Sequence, residues 1–261
     1  MLLAVDVGNT QTQLGVFEGE RLSHQWRVST EQSRTADELA LVFGEFLSLA
    51  DLSFSRQITG VIICSVVPRA TQELRDMTDQ YFGFSAVVVE PGIKTGIAIK
   101  TDNPREVGAD RIANAVAAHS LFEDEPVIVV DFGTATNFDV VSAQGEYLGG
   151  AIAPGLDISA AALFQKAARI QRVELRAPPS VVGKSTVTSV QSGLLYGAAA
   201  MVDGLVRRLS DALNDTPHVI ATGGLAPIVV EHCTTVEAVE PMLTLMGLRL
   251  IYERNAEADV P

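Results

Sequence analysis

The chain opens on an apolar run, Leu2 to Val7, broken only by Asp6, which reads as a central strand buried on both faces. Gln11 to Phe17 then alternates polar and apolar positions, Glu18-Gly19-Glu20 turns the chain, and Leu22 to Val28 makes a third strand. Thr35, with Asp37 and Glu38 behind it, opens a helix whose expected apolar face is Leu39, Leu41, Val42, Phe46 and Leu49. A buried strand over Ile58 to Val67, stopped by Pro68, a helix from Ala70 to Tyr81 and a strand from Ser85 to Val89 complete this half.

The same order then returns. Val127 to Asp131 is apolar up to its final acid, Thr136 to Val141 alternates, Ala143 to Glu146 turns, and Tyr147 to Ile152 is a third strand. Helices are expected over Leu156 to Ala168 and Thr188 to Leu213, then a strand from His218 to Ala221, a short helix after Gly224, a short strand near Val236 and a last helix from Met242 to Tyr252. Asn255 to Pro261 reads as a frayed tail. The polar stretch Thr101 to Gly108 joins the halves and leads into a helix over Asp110 to Phe122. The reading is an α/β protein of two duplicated βββαβα halves, residues 1–115 and 116–261, holding a nucleotide between two similar lobes.

Composition narrows this. The 261 residues, 47% apolar, suffice for two cores of about 130 residues each. A net charge of −13 argues against a nucleic-acid or anionic-membrane partner, which needs clustered Lys and Arg. Two cysteines, Cys64 and Cys233, with no CxxC pair, suit reduced thiols, and Cys64 lies in an apolar run that marks it as core. The four histidines, at 24, 119, 218 and 232, have no metal-ligand spacing. No basic, apolar leader precedes Asp6, and Asp203 interrupts the most apolar helix, so a cytoplasmic protein outside the membrane is expected.

The chemistry concentrates at two segments 125 residues apart: Asp6-Val7-Gly8-Asn9-Thr10 and Asp131-Phe132-Gly133-Thr134-Ala135-Thr136. Each follows a strand with an acid, a glycine and neutral donors, an arrangement that lets backbone N–H groups approach phosphate. A carboxylate repels phosphate, so Asp6 would act through Mg²⁺ or its waters. The same residues also suit an ordinary hairpin. Gly183-Lys184-Ser185-Thr186 resembles the end of a P-loop, but Pro179 stands where its first glycine belongs. Gly108-Ala109-Asp110-Arg111 sets an acid beside a base at a helix start. Asp110 there is either a first-turn acid or the acceptor of a hydroxyl proton, with Arg111 holding a substrate carboxylate. Ala221-Thr222-Gly223-Gly224 is either a plain strand-to-helix turn or a flat bed for adenosine. Gly193, Gly197 and Gly204 give the long helix a small face, for internal packing or for a twofold contact.

Taken together, DVGNT at 6–10, NPREVGADR at 103–111, DFGTATNFD at 131–139, GGAIAPG at 149–155, GKST at 183–186, QSGLLYGAAAMVDGL at 191–205 and ATGGLA at 221–226 resemble type III pantothenate kinases. These belong to the acetate and sugar kinase/heat-shock chaperone/actin superfamily. The resemblance implies actin-like (ribonuclease H-like) βββαβαβ domains and ATP-dependent phosphorylation of pantothenate to 4′-phosphopantothenate, the first step of coenzyme A synthesis. It assigns ATP to Asp6, Val7, Gly8, Asn9, Thr10, Gln11, Thr12 and Gln13, with Thr134, Gly223 and Gly224. It places Mg²⁺ near Asp6, a monovalent cation (K⁺ or NH₄⁺) at Asp131, and pantothenate at Thr101, Gly108, Ala109, Asp110, Arg111 and Thr186. Asp110 is the implied general base, and a homodimer the implied assembly. Two positions depart from the family: Thr101 stands where members often carry Tyr, and Gln13 where several carry Lys. A non-catalytic regulatory relative and another small-molecule kinase are the competing expectations.

Overall fold

The computed structural model describes residues 1–167 and 172–256. By contacts the chain groups into two units: residues 1–97 and 102–117 with the segment from Leu243 on, and residues 98–101 with 118–242. The linear expectation of halves at 1–115 and 116–261 does not contain this return of the C-terminal segment to the first unit.

The first unit is built from β1 (Leu2–Val7), β2 (Gln11–Glu18), β3 (Arg21–Ser29), α1 (Ala36–Leu49), β4 (Gly60–Ser65), α2 (Pro68–Tyr81) and β5 (Val87–Val88). Its sheet runs β3-β2-β1-β4-β5. The first strand pairs antiparallel with β2 and parallel with β4. Leu3, Val5 and Val7 join Leu14, Val16, Val61 and Ile63 in a core closed by Ala40, Phe43 and Leu47 of α1 and by Leu74 and Met77 of α2. Each such fully buried Leu, Ile or Phe contributes roughly 1.5–3 kcal/mol, so this face fixes the phase of every strand. The opposite face is covered by the last helix, residues 243–256, which packs on β1, β2 and β4.

Two details depart from expectation. Leu41 and Leu49 of α1 are 75% and 72% exposed, because the buried stripe is Ala40, Phe43 and Leu47 at helical spacing. The second helix begins at Pro68 itself, with Val67 as its cap, rather than at Ala70, since a proline at the first helical position loses no hydrogen bond. Elsewhere local signals held: Thr35 Oγ1 accepts the Glu38 N–H and Glu38 Oε2 accepts the Thr35 N–H, a reciprocal cap for α1.

Between the repeats come β6 (Ala98–Ile99), a 3₁₀ turn (Pro104–Glu106) capped by Asn103, and α3 (Ala109–Leu121). The second unit then follows: β7 (Val127–Phe132), β8 (Ala135–Val141), β9 (Glu146–Pro154), α4 (Leu156–Lys166), α5 (Thr186–Leu213), β10 (His218–Thr222), α6 (Ala226–Val230) and β11 (Ala238–Val239); α7 (Leu243–Ala256) is the helix already placed on the first unit. Its sheet runs β11-β10-β7-β8-β9-β6. Leaving β6 aside, this is the first sheet's order repeated. The repeat holds at single-residue register: Asp6 faces Gln13 and Cys64, and Asp131 faces Asn137 and Thr222. The expected helix end at Ala168 and most of the tail from Asn255 lie outside the described residues.

The long helix α5 starts at Thr186, two residues before the expected Thr188, because Ser185 and Thr188 cap each other's backbone. Its Gly193, Gly197 and Gly204 have no described residue within 4 Å of a Cβ, so this small face is not used for packing among the described residues. On the buried side, Asp203 accepts from the backbone N–H and hydroxyl of both Thr234 and Thr235 and ties the helix to the loop before β11. Burial pushes its carboxyl up, but the hydrogen bonds from Thr234 and Thr235 outweigh this and hold it below the usual value of 3.8. At the other end of β10, His218 bridges Glu237 at 2.8 Å and Glu125 at 2.7 Å. Hydrogen bonds to Glu237 and then Glu125 raise the imidazole above 6.5, against a small opposing effect of burial. Among the described residues no helix is long and apolar enough to cross a membrane.

These two groups give opposite pH signatures. Asp203→Asn should cost about 1–3 kcal/mol in urea unfolding at neutral pH. That contribution is present above the unfolded carboxylate value and disappears as pH falls through the lowered native one. The His218 contribution is full below 6.5 and fades as pH rises through its raised value, so His218→Gln should lose more stability at pH 6 than at pH 9. An unchanged unfolding midpoint in Asp203→Asn, or a pH-independent loss in His218→Gln, contradicts these assignments.

Candidate active site

In the first unit the turn after β1 is held at both ends. The Gly8 N–H donates to the Gln11 carbonyl at 3.0 Å, the Thr30 N–H donates to the Thr10 carbonyl at 3.0 Å, and the Thr12 and Thr30 hydroxyls share a 2.9 Å hydrogen bond. Strand alternation then sorts the predicted ligand residues. Val7 and Thr12 are buried on the helix-covered face and offer a ligand only their backbone. Asn9, Thr10 and Gln11 are exposed at the tip, and Asp6 and Gln13 lie side by side, half-buried, on the other face.

Gly108, Ala109, Asp110 and Arg111 form the start of α3 in the same unit. The Ile112 N–H donates to the Gly108 carbonyl, and Asp110 Oδ1 accepts the Arg111 N–H at 2.9 Å. A Cβ on Gly108 would run into Asp110 Oδ1, so only glycine leaves this carboxylate its place. The next turn of α3 is locked to α7: Thr244 Oγ1 donates to the fully buried Asn114 at 2.8 Å, and Gly247 packs directly on the Ala113 carbonyl.

Cys64 lies beside Asp6 on the neighbouring strand. It is 0% exposed, and burial pushes its thiol well above the ordinary range. The carboxylates of Asp6 and Asp110 push it further, and its S–H donates to Asp6. By strand register Asp6 stands beside this thiol, and the charge of Asp110 at the start of α3 also bears on it. The sequence pattern marked Cys64 as core, which it is. Its place beside Asp6 required the parallel register of β1 and β4, which no local pattern encodes.

The remaining predicted residues belong to the second unit. Asp131 is the next-to-last residue of β7, and Thr134 sits exposed in the turn, where the Gly133 N–H donates to the Ala135 carbonyl at 3.0 Å. Gly223 has φ +93, and a Cβ there would stand 2.6 Å from the Phe132 carbonyl oxygen and 2.7 Å from Asp131 Oδ1. The turn after β10 thus packs onto the acid through a missing side chain. Gly224 is exposed beside it. Thr186 is the exposed first residue of α5, and Thr101 follows β6 with a buried hydroxyl that has no hydrogen-bond partner among the described residues. The two units hold separate sets: 6–13 and 108–111 in one; 101, 131, 134, 186, 223 and 224 in the other.

The donor sets are oxygen-rich and poor in sulfur and imidazole. Among the described residues no cluster of three or more His, Cys, Asp or Glu is arranged to hold a metal. That fits an ion such as Mg²⁺, held by a single carboxylate together with phosphate oxygens and waters. Asp131 Oδ1 and the Phe132 carbonyl are likewise hard oxygen donors, suited to an alkali or ammonium ion.

A duplicated sheet with an acid near the end of each central strand and a hydroxyl-rich turn behind it defines the class. The fold is that of the acetate and sugar kinase/heat-shock chaperone/actin superfamily. Solved structures agree on the fold: component A of (R)-2-hydroxyglutaryl-CoA dehydratase from Acidaminococcus fermentans superimposes with a TM-score of 0.57 at 15% identity, over 99% of both chains. The ROK hexokinase from Thermus thermophilus gives 0.50 at 16% identity, over 98% of this chain and 99% of that one. The type III pantothenate kinase family model matches residues 2–208. The chain is 53% identical to the type III pantothenate kinase of Streptomyces coelicolor, over 98% of each chain. It is 54% identical to that of Acidothermus cellulolyticus, over 98% of this chain and 99% of that one. The chain belongs to the type III pantothenate kinase family.

The position of Cys64 is directly checkable. In a Cys233→Ser background, Cys64 should stay protonated and unreactive to thiol reagents across the ordinary cysteine range, and Asp6→Asn should lower its titration point. An unchanged titration point in Asp6→Asn would mean that Asp6 does not act on the thiol.

Proposed function

We infer that the chain transfers the γ-phosphoryl group of ATP to the 4′-hydroxyl of pantothenate, giving ADP and 4′-phosphopantothenate, the first step of coenzyme A synthesis. The observation that carries this reading is the 53–54% identity to type III pantothenate kinases over nearly the whole chain, together with the acids Asp6 and Asp110 in one unit. An acid for the phosphate end and an acid for the acceptor end then belong to one unit, as suits in-line transfer to an alcohol.

In this reading Asp110 accepts the hydroxyl proton as the oxygen attacks phosphorus, and Arg111 holds the pantothenate carboxylate as a fixed cation. Gly108 leaves Asp110 its position, and Ala109 keeps the helix start narrow beside the substrate. Backbone N–H groups of the turn from Val7 to Gln13, with the hydroxyls of Thr10 and Thr134, orient the triphosphate. Gly223 and Gly224 bed the adenosine. Mg²⁺ held through Asp6 neutralises phosphate charge when bound, and Asp131 with the Phe132 carbonyl suits K⁺ or NH₄⁺. Thr186 and the buried hydroxyl of Thr101 complete the pantothenate contacts. The protein works in the cytoplasm.

A second copy of the chain is the natural occupant of the open face of α5. Gly193, Gly197 and Gly204 leave room for a close helix approach, and Val181, Val182 and Val187 add exposed apolar surface around the start of the same helix. Sedimentation equilibrium should return twice the mass of 27.8 kDa, and a monomer at micromolar concentration rules the pairing out.

The mechanism makes two kinetic demands. In a coupled ADP-release assay, Asp110→Asn should lower kcat by about 10²-fold or more with ATP binding retained. A kcat equal to that of the unaltered protein leaves Asp110 as a first-turn acid only. Replacing K⁺ with Na⁺ should raise the KM for ATP, and indifference to the cation removes the role given to Asp131.

A further inference from the structure

The turn that receives the triphosphate carries no positive side chain of its own. Gly8, Asn9, Thr10, Gln11, Thr12 and Gln13 are all neutral, Asp6 beside them is an acid, and the whole chain carries a net charge of −13. A nucleotide triphosphate bound there gains from a fixed cation, and guanidinium is the side chain best shaped for phosphate oxygens.

Strand register supplies one. Asp6 of β1 faces Gln13 of β2, and Gln13 faces Arg27 of β3. Directly opposed residues share a face, so Asp6, Gln13 and Arg27 form one row on the side of the sheet that also carries Cys64. Two strand spacings put the Arg27 backbone about 10 Å from that of Asp6. The long side chain starts beside Gln13 and covers most of that gap. Arg34, the other arginine near the turn, belongs to the opposite face, where it lines a small cavity with Thr12, Leu39 and Phe43.

The phase of β3 is not free to slip. Trp26 is stacked between His24, with ring centroids 5.8 Å apart, and Phe46 of α1 at 5.7 Å. That stack holds residue 26 on the helix-covered face and forces residue 27 onto the face of Asp6. The hydrogen bond from the Thr30 N–H to the Thr10 carbonyl ties the same end of β3 to the tip of the turn. Arg27 itself is exposed, with no hydrogen bond or ion pair to a described residue.

We propose that Arg27 is a phosphate-contacting residue of the nucleotide site, providing from the third strand the charge that Gln13 lacks on the second. The proposal rests on the kinase reading above, and it is not a consequence of it: an ordinary exposed charge on an edge strand would fill the same position.

Calorimetric titration with ATP, ADP and adenosine tests it on the full-length protein, with Arg27→Gln, Arg27→Lys and Asp6→Asn alongside. Arg27→Gln should weaken ATP by about ten- to a hundred-fold, leave adenosine unaffected, and leave the melting temperature and the KM for pantothenate unchanged. Arg27→Lys should recover part of the loss. If Asp6→Asn disturbs ATP binding while Arg27→Gln stays within twofold of the parent, Arg27 is only an edge charge and the kinase reading stands. A rise in the pantothenate KM with ATP affinity unchanged also overturns the proposal, because the cation would then serve the acceptor carboxylate. Failure of the parent protein to bind ATP overturns the kinase reading and this inference with it.

Discussion

Each unit depends on one strand that is hydrogen-bonded antiparallel on one side and parallel on the other. In β1 and β7 this double pairing buries every residue but the acid, and it puts Asp6 and Asp131 at matching rungs. An acid in such a strand can be tolerated only near its end, where a turn, solvent or a ligand meets the charge. The position of the acids is therefore a property of the sheet. The chemistry assigned to them follows from what the register brings alongside: an amide on the antiparallel neighbour, a thiol or hydroxyl on the parallel one.

The two repeats have diverged around that common frame. In the first, the sheet face opposite α1 and α2 receives α7 from the far end of the chain, and α7 in turn holds α3, which carries Asp110, through Thr244 and Gly247. In the second, the turn after β10 packs on Asp131 through Gly223, and a 28-residue helix, anchored by the buried Asp203, lies over the core. In the proposed reading the first repeat serves proton and phosphoryl transfer, and the second the nucleotide's remaining contacts. Glycines mark the sites of divergence, because at Gly108 and Gly223 a side chain would displace the carboxylate that each repeat presents.

Much of this was legible in the sequence where the signal was local. Apolar runs gave both central strands, the Thr35 to Glu38 segment gave the start of α1, the start of α5 was placed within two residues, and the paired Asp-x-Gly turns gave the duplication. What was not legible depended on contacts distant along the chain. The phase of α1 was misread at Leu41 and Leu49 because several adjacent positions are apolar, and only packing selects among them. The return of α7 to the first unit leaves no local trace in the sequence. Neither does the register that sets Cys64 beside Asp6 and Arg27 in the same row beyond Gln13: one residue of slip would put either on the other face. The short β6 and the 3₁₀ turn in the linker were missed because a two-residue strand has no periodicity to detect.

The central claim is that the acid pair of the first unit directs γ-phosphoryl transfer to an alcohol. Phosphorus NMR of the products formed from ATP and pantothenate tests it most directly. The account predicts ADP and a phosphate monoester of pantothenate in equal amounts, appearing only when both substrates are present. Release of ADP with inorganic phosphate, or no pantothenate-dependent turnover, would contradict it.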